Sequence, residues 1–339
     1  MAVIKIEDIA HVRFAAPDLG AMRAFLSDFG LDCFDHAGRL YARGSDGRAF
    51  LHATEPGEPG FKAIGLRAAS LADLEKLAAA EGVEVEDANT PGGGKIVRLT
   101  DPDGFAVEVI AGQDKASAQP LRPEPRRNSA AAQPRFRESI RLAGGPAQVL
   151  RIGHCVLKVR DFRTSEAWYK ARFGFLTSDE IEAAADVPLG AFMRCDLGER
   201  PADHHTLFLA QLPGQPGFLH AAFEVAGLDD LMVGHAYLKA RGRTQAWGVG
   251  RHILGSQVFD YWNDPWGHEL EHWTDGDLFT AADPPHKVGL ASLLAVQWGA
   301  PHPSQAGKHA PPPGLVAFFL ALNLRLKRLF RRTPKGHPA

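Results

Sequence analysis

Cysteine is scarce in this sequence of 339 residues. The three cysteines, Cys33, Cys155 and Cys195, stand far apart, and no two are spaced as Cys-x-x-Cys. This spacing disfavours a zinc motif, and the odd number argues against a disulfide framework. Reduced thiols are typical of the cytosol, so the sequence predicts a cytoplasmic protein.

A strong excess of one charge and a long apolar run are also lacking. Lys and Arg together number 38 against 40 Asp and Glu, which gives a net charge of −2. Nucleic-acid-binding domains usually show a basic excess, so no nucleic-acid partner is expected. The most apolar candidate, 315–322, is too short to span a bilayer, and the first residues lack the apolar core of a signal peptide. No transmembrane segment is therefore predicted.

Composition divides the chain into four parts. Residues 113–147, rich in Ala, Pro, Arg and Gln, are predicted to link two globular modules, 1–112 and 148–285. Residues 286–339 form a tail rich in Pro and His that ends in a basic amphipathic segment at 315–332. This segment is predicted to be a helix that packs on the module or on another subunit, with peripheral membrane contact as the alternative.

The two globular modules look like divergent copies of one unit. The strand-like stretch 9–14 contains Ala-His, and its counterpart 152–157 contains Gly-His. The stretch 60–66, Gly-Phe-Lys-Ala-Ile-Gly-Leu, parallels 217–223, Gly-Phe-Leu-His-Ala-Ala-Phe. A helix is predicted after each of these strands. The first helix of each module is expected to end at a Phe-Gly pair, where the glycine suits the helix C-terminus.

The clearest match between the copies is a turn followed by a strand. Residues 101–108, Asp-Pro-Asp-Gly-Phe-Ala-Val-Glu, parallel 264–271, Asp-Pro-Trp-Gly-His-Glu-Leu-Glu. In Asp-Pro-x-Gly the proline fixes φ and the glycine accepts positive φ, so a hairpin is predicted. Each module is thus predicted to consist of paired βαβββ units, giving an α+β fold with a curved mixed sheet around a cavity.

Three residues of the second copy are candidate metal ligands: His154, His220 and Glu271. Each lies on a predicted strand, and because side chains alternate along a strand, residues of separate strands can point into one cavity. Two imidazoles and one carboxylate form the facial triad of non-haem Fe(II) oxygenases, which leaves positions open for other ligands.

The first copy serves as an internal comparison. Its matching positions are His11, Ala63 and Glu108, so the middle ligand is missing and no metal is expected there. The same alignment favours Glu271 over Glu269, because Glu271 matches Glu108 whereas Glu269 matches an alanine. For any single histidine, a hydrogen-bonded core position remains the alternative to metal binding.

The chain resembles the type I extradiol ring-cleaving dioxygenases, within the vicinal oxygen chelate superfamily that also includes glyoxalases and bleomycin resistance proteins. The resemblance covers roughly residues 5–280 and is strongest in the second module. Its specific segments are Asp-His-His-Thr-Leu at 203–207, Gly-Arg-His at 250–252 and Phe-Asp-Tyr-Trp-Asn-Asp-Pro-Trp-Gly at 259–267. It implies two tandem vicinal oxygen chelate modules, with the complete site in the second.

The resemblance also implies roles for three further residues. His205 matches the acid–base histidine of that family, and His252 and Tyr261 match residues that contact the substrate hydroxyls. His204 is the neighbour that could be confused with His205, and the two are expected to point to opposite faces of a strand. Fe(II) is favoured by the resemblance alone, since the triad also accepts Mn(II).

The implied function is cleavage of a catechol ring next to the diol, with both atoms of O2 inserted, in aromatic-compound degradation. The expected partners are a catecholic small molecule and O2, and a homo-oligomer is expected. One alternative is another enzyme of the superfamily, a glyoxalase-like lyase or isomerase. The other is a metal-free protein that binds an aromatic ligand. The sequence does not specify which catechol is bound.

Overall fold

The computed structural model describes residues 2–305, and the tail helix predicted at 315–332 lies outside this range. The described chain forms an eight-stranded sheet, a ten-stranded sheet and a two-stranded ribbon, with four α-helices packed on the large sheets. The α+β class predicted from the sequence is confirmed. No helix among residues 2–305 is long and apolar enough to cross a membrane.

The first module contains two βαβββ units that share one sheet. The first unit consists of β1 (Ile6–Ala16), α1 (Leu19–Phe29), β2 (Asp32–His36), β3 (Arg39–Arg43) and β4 (His52–Pro56). The second consists of β5 (Gly60–Ala68), α2 (Leu71–Glu81), β6 (Glu86–Asp87), β7 (Lys95–Thr100) and β8 (Ala106–Ala111). The strand order is β2-β3-β4-β1-β5-β8-β7-β6, so the two units join along β1 and β5.

The second module repeats this plan. Its first unit consists of β9 (Val149–Lys158), α3 (Phe162–Phe173), β10 (Leu176–Ala184), β11 (Val187–Arg194), β12 (Ala202–Asp203) and β13 (Leu207–Ala210). Its second consists of β14 (Gly217–Val225), α4 (Leu228–Ala240), β15 (Thr244–His252), β16 (Val258–Asn263) and β17 (Glu269–Thr274). The chain continues through β18 (Leu278–Phe279), β19 (His286–Gly289) and β20 (Val296–Gly299). The large sheet has the order β19-β10-β11-β13-β9-β14-β17-β16-β15-β20.

The predicted turns and helix ends are confirmed in both copies. Helices α1 and α3 end at Gly30 and Gly174, which have φ of 105° and 71°. In the hairpin turns, one carboxylate oxygen of Asp101 accepts two backbone N–H groups, and Asp264 does the same in the second copy. These local interactions explain why the same short motifs fold in the same way in each module.

Residues 113–147 contain no helix or strand and run over the surface of both modules, where Arg122 pairs with Asp230 at the start of α4. Backbone N–H groups of Ala116 and Gln119 donate to the carbonyls of Gly47 and Ser45, both at 2.9 Å. The first part of the predicted tail differs from the prediction. Residues 286–299, placed in the tail by composition, contribute β19 and β20 to the two edges of the second sheet.

Candidate metal centre

Three neighbouring strands of the second sheet position the candidate ligands. Strand β14 lies between β9 and β17, antiparallel to β9 and parallel to β17. The register sets His154 opposite Ala222, and Ala222 opposite Glu271, so His154 and Glu271 share one row across the sheet. His220 precedes Ala222 by two residues and therefore points to the same face.

The ligand atoms of His154, His220 and Glu271 all lie within 4.8 Å of one another. Nε2 of His154 is 3.3 Å from Oε2 of Glu271, and Nε2 of His220 is 3.4 Å from the same oxygen. No other cluster of this kind is found among residues 2–305. Each donor comes from a different strand of one sheet, so the backbone itself fixes their spacing.

The residues fit a divalent cation. Both carboxylate oxygens of Glu271 are buried and have no hydrogen-bond partner within the described part of the chain. An unpartnered buried carboxylate is strongly unfavourable unless a cation compensates it. Burial by itself raises the pKa of Glu271, but His154 and His252 outweigh this effect and hold the pKa below its usual range. The carboxylate is therefore charged at neutral pH, as metal binding requires.

The imidazole of His220 is also in the form that binds metals. Burial lowers the pKa of His220 to about 3, although the charge of Glu271 acts in the opposite direction. A neutral imidazole offers the nitrogen lone pair that a metal ion needs. Nitrogen and oxygen donors of this kind suit Fe(II) and Mn(II).

His252 and Tyr261 lie on the other side of Glu271. Nε2 of His252 is 3.0 Å from the hydroxyl of Tyr261 and 3.8 Å from Oε1 of Glu271. Burial, followed by the charge of Glu271, raises the pKa of Tyr261 well above its usual value. The phenol is thus a neutral donor, and the indole of Trp247 stacks on its ring with centroids 5.4 Å apart.

His205 packs directly on one of the ligands. Its ring centroid is 3.9 Å from that of His154, and the side chain of Phe192 covers it at 4.8 Å. Burial is the main cause that lowers the pKa of His205 well below its usual value, and the neighbouring imidazoles of His154 and His204 add to it. The ring of His205 is therefore neutral at neutral pH.

The prediction that His204 and His205 point to opposite faces of a strand is wrong. Both lie in the irregular segment between β12 and β13, where the alternation of a strand does not apply. Their rings are nearly perpendicular, at 86°, and their Nδ1 atoms are 3.0 Å apart. Asp179 on β10 contacts His204 as well, and no motif in the sequence pointed to it.

In the first module, an arginine side chain lies at the position equivalent to the candidate metal site. Nε2 of His11 lies 2.8 Å from Oε2 of Glu108, and the guanidinium of Arg13 donates to Oε1 of Glu108 at 2.9 Å. Burial alone raises the pKa of Glu108, but His11 and Arg13 outweigh it and lower the pKa to about 2. Ala63 is the register partner of Arg13 and stands where the second module has His220. The guanidinium thus neutralises the carboxylate that a metal would otherwise bind.

Comparison with known proteins identifies the family. Residues 151–272 match the model described as the Glyoxalase/Bleomycin resistance protein/Dioxygenase superfamily. Metapyrocatechase 2 of Cupriavidus necator is 27% identical over 301 residues, which are 87% of this chain and 89% of that protein. Biphenyl-2,3-diol 1,2-dioxygenase of Paraburkholderia xenovorans (strain LB400) is 30% identical over 285 residues, 79% of this chain and 88% of that protein. This chain belongs to the extradiol dioxygenase family.

The architecture of this extradiol dioxygenase is shared more widely. The crystal structure of a Mn(II)-bound glyoxalase from Novosphingobium aromaticivorans superimposes with a TM-score of 0.73 and covers 91% of this chain and 97% of its own. Its sequence is 24% identical, so the similarity demonstrates the common fold. The family resemblance noted from the segments at 203–207, 250–252 and 259–267 is confirmed.

Proposed function

We propose that this protein is an Fe(II)-dependent extradiol dioxygenase of the catechol 2,3 type. It would insert both atoms of O2 into a catechol and cleave the ring next to the diol. The observation that carries the proposal is the buried, unpartnered carboxylate of Glu271, within 3.4 Å of two imidazole nitrogens. A cytoplasmic location and a homo-oligomeric state stay predictions from the sequence.

His154, His220 and Glu271 would hold the ion. When bound, Fe(II) supplies Lewis acidity and open positions for the diol and O2. The three side chains are buried or nearly so, with exposed side-chain fractions of 2%, 18% and 0%. The burial keeps bulk water from competing for the open positions.

Tyr261 and His252 would orient the substrate. The hydroxyl of Tyr261 and Nε2 of His252 lie 3.0 Å apart, and Nε2 of His252 is 3.8 Å from Oε1 of Glu271. A substrate hydroxyl that accepts from one of them is held at a fixed angle to the ligands. Such orientation lowers the entropy that must be lost on the way to the transition state.

His205 would exchange a proton with the substrate. Its ring is neutral and buried, and its Nδ1 is engaged by His204 at 3.0 Å. The remaining nitrogen, Nε2, can take a proton from a substrate hydroxyl and return it when the ring opens. General acid–base catalysis of this kind contributes about 10²–10⁴-fold in rate.

An apolar wall beside the ligands suggests the class of catechol. The wall includes Val156, Ile181, Phe192, Phe208, Leu219, Leu254, Leu290 and Leu293. Val156 follows His154 by two residues and so shares its strand face, and the ring of Phe192 lies 4.8 Å from that of His205. A catechol that carries an apolar substituent, such as an aryl group, would bury that substituent against this wall. The relative named biphenyl-2,3-diol 1,2-dioxygenase agrees with such a substrate.

The substrate class is tested by loading the protein with Fe(II) without oxygen and then measuring O2 uptake with a panel of catechols. We expect kcat/KM for 3-phenylcatechol to exceed that for a carboxymethyl catechol by about 10–100-fold, because burying an aromatic ring contributes roughly 1.5–3 kcal/mol. Leu290→Asp should reduce this ratio. An equal or higher kcat/KM for the carboxylated substrate would contradict the proposed class.

The role of His205 is tested by His205→Ala. This variant should keep its iron, because all three ligands remain, and should lose about 10²–10⁴-fold in kcat. His36→Ala, at an exposed histidine of the first module, is the matched control and should turn over at the normal rate. A fully active His205→Ala would show that another group moves the proton.

The second candidate function is that of a metal-dependent lyase or isomerase, because the fold is shared with a Mn(II)-bound glyoxalase. Such an enzyme would bind Mn(II) or Fe(II) on the same triad but would consume no O2. Metal analysis of the purified protein distinguishes both from a metal-free protein that binds an aromatic ligand. Dioxygenase activity with Mn(II) but not with Fe(II) would identify manganese as the metal, and the proposed ring cleavage would stand.

A further inference from the structure

A chain of buried polar side chains leads away from His205. Nδ1 of His205 is 3.0 Å from Nδ1 of His204, and Nε2 of His204 is 2.7 Å from Oδ2 of Asp179. The exposed fractions of the three residues are only 4%, 1% and 7%. Buried polar groups in such a chain depend on one another for their hydrogen bonds, because water does not compete.

The direction of these hydrogen bonds follows from the carboxylate. An ionised carboxylate only accepts, so Nε2 of His204 must donate to Asp179. In a neutral His204 the other nitrogen, Nδ1, is then an acceptor, and Nδ1 of His205 must donate to it. A doubly protonated His204 would donate through both nitrogens and reverse the second bond, which would place the proton of His205 on Nε2. The position of that proton therefore distinguishes the two arrangements.

The ring of His204 has little freedom to turn. Its backbone N–H donates to the carbonyl of Asp277 at 2.9 Å, and its own carbonyl accepts from the hydroxyl of Ser178 at 2.6 Å. Phe192 and Phe279 lie against the ring, with centroids 5.3 Å and 5.7 Å away. A side chain at Gly255 would come within 2.9 Å of its Nδ1. The surrounding residues thus hold both nitrogens in place.

We infer that Asp179 and His204 are positioning residues that hold His205 in the tautomer protonated on Nδ1, which leaves Nε2 free as an acceptor. The inference rests on the proposed function for its catalytic meaning, since an acid–base role for His205 requires a free Nε2. The hydrogen-bond chain itself stands independently of any reaction. Nδ1 of His286 on β19 lies 3.5 Å from the other oxygen of Asp179, but this side chain is exposed and is not part of the buried hydrogen-bond chain.

The tautomer can be observed directly by nitrogen-15 NMR. The full-length protein, labelled with 15N-histidine and loaded with diamagnetic Zn(II), should show His205 protonated on Nδ1 and unprotonated on Nε2. The signal is assigned by its loss in His205→Asn. His204→Phe should abolish this tautomer preference. His204→Gln should restore it, because the amide can donate to Asp179 and accept from His205. His286→Gln, which leaves the chain intact, should match the wild type.

The expected kinetic consequence is a lower kcat with little change in KM. With Fe(II), His204→Phe should lower kcat by about 10–100-fold, the usual effect of losing an outer-shell partner, with metal content and KM nearly unchanged. His204→Gln should recover most of the loss. If His204→Phe does not fold, Asp179→Asn is measured instead, and it should reduce the fraction of the Nδ1–H tautomer.

The inference is overturned if wild-type His205 carries its proton on Nε2, or if His204→Phe leaves the tautomer and kcat unchanged. Failure of the proposed function gives a different result. In that case no catechol supports O2 uptake, whereas the NMR spectrum still shows the Nδ1–H tautomer of His205 and its dependence on His204.

Discussion

Two residues distinguish the first copy from the second at the metal position. Ala63 replaces the ligand histidine, and Arg13 occupies the register position of Val156. The guanidinium of Arg13 lies 2.9 Å from Oε1 of Glu108 and neutralises it. No arginine or lysine pairs with Glu271 among the described residues, and its Oε2 lies beside the imidazoles of the proposed ligands His154 and His220.

This difference predicts how a second metal site could be built. Ala63→His combined with Arg13→Val should raise the Fe(II) content from one to two ions per chain. Ala63→His alone should leave it at one, because the guanidinium still repels a cation at short distance. Metal analysis after anaerobic loading gives the stoichiometry. Two ions in the single variant would show that Arg13 does not block the site.

At the scale of elements, the helix ends connect the two modules. Helix α1 ends beside α4, where Asp28 accepts from Arg243 Nε at 2.8 Å and from Arg241 Nε at 3.2 Å. Asp28 is only 6% exposed, so these charge-assisted hydrogen bonds lie in a partly dry interface. Hydrogen bonds to charged groups contribute more in such surroundings than at the surface.

Asp28→Ala is therefore expected to destabilise the protein. The variant leaves Arg243 without its acceptor, and we expect the free energy of unfolding to fall by about 2–3 kcal/mol. Asp32→Ala removes an ion pair with Arg43 whose side chains are 48% and 37% exposed, and it should change the value by less than about 1 kcal/mol. Urea unfolding of both variants measures the difference. An equal loss of unfolding free energy in the two variants would show that the Asp28 contacts contribute no more than an exposed ion pair.

At the scale of the whole molecule, an aromatic cluster joins the two sheets. Phe14 contacts His52 within the first module, with ring centroids 5.0 Å apart, and it contacts Phe218 and His268 of the second module at 5.1 Å and 5.0 Å. His52 is fully buried in this cluster, and burial lowers its pKa to about 3, with the neighbouring His268 adding to the effect and Asp264 opposing it. Protonation of His52 therefore requires the interface to open.

The position of His52 predicts a loss of stability in acid. Between its usual pKa of 6.5 and the folded-state value of about 3, the unfolded chain binds one more proton than the folded chain. The contribution of His52 to the free energy of unfolding is therefore highest above pH 6.5, and it falls by about 1.4 kcal/mol per pH unit as the pH decreases from 6.5 to about 3. His52→Gln, which does not titrate, should show a correspondingly smaller slope in urea unfolding. An identical slope would place the acid sensitivity elsewhere.

The repeat shows how much the sequence reveals. The Asp-Pro-x-Gly turns and the glycines after α1 and α3 act through backbone conformation within a few residues, so the same motif folds alike in both modules. Gly30 is an instructive case. The sequence identifies it as a helix end, which its φ of 105° explains, but an added Cβ would also lie 2.1 Å from the carbonyl oxygen of Ala147. That second constraint arises only when the chain returns 117 residues later.

By itself the sequence determined the α+β class, the doubled units and the order of His154, His220 and Glu271 along three strands, because these depend on local patterns and on a period of two. The tertiary structure alone decided that Arg13 faces Glu108, that His204 meets both His205 and Asp179, and that β19 and β20 complete the second sheet. Those contacts depend on the path of the backbone between distant segments, and in a bend the alternation of a strand no longer tells which way a side chain points.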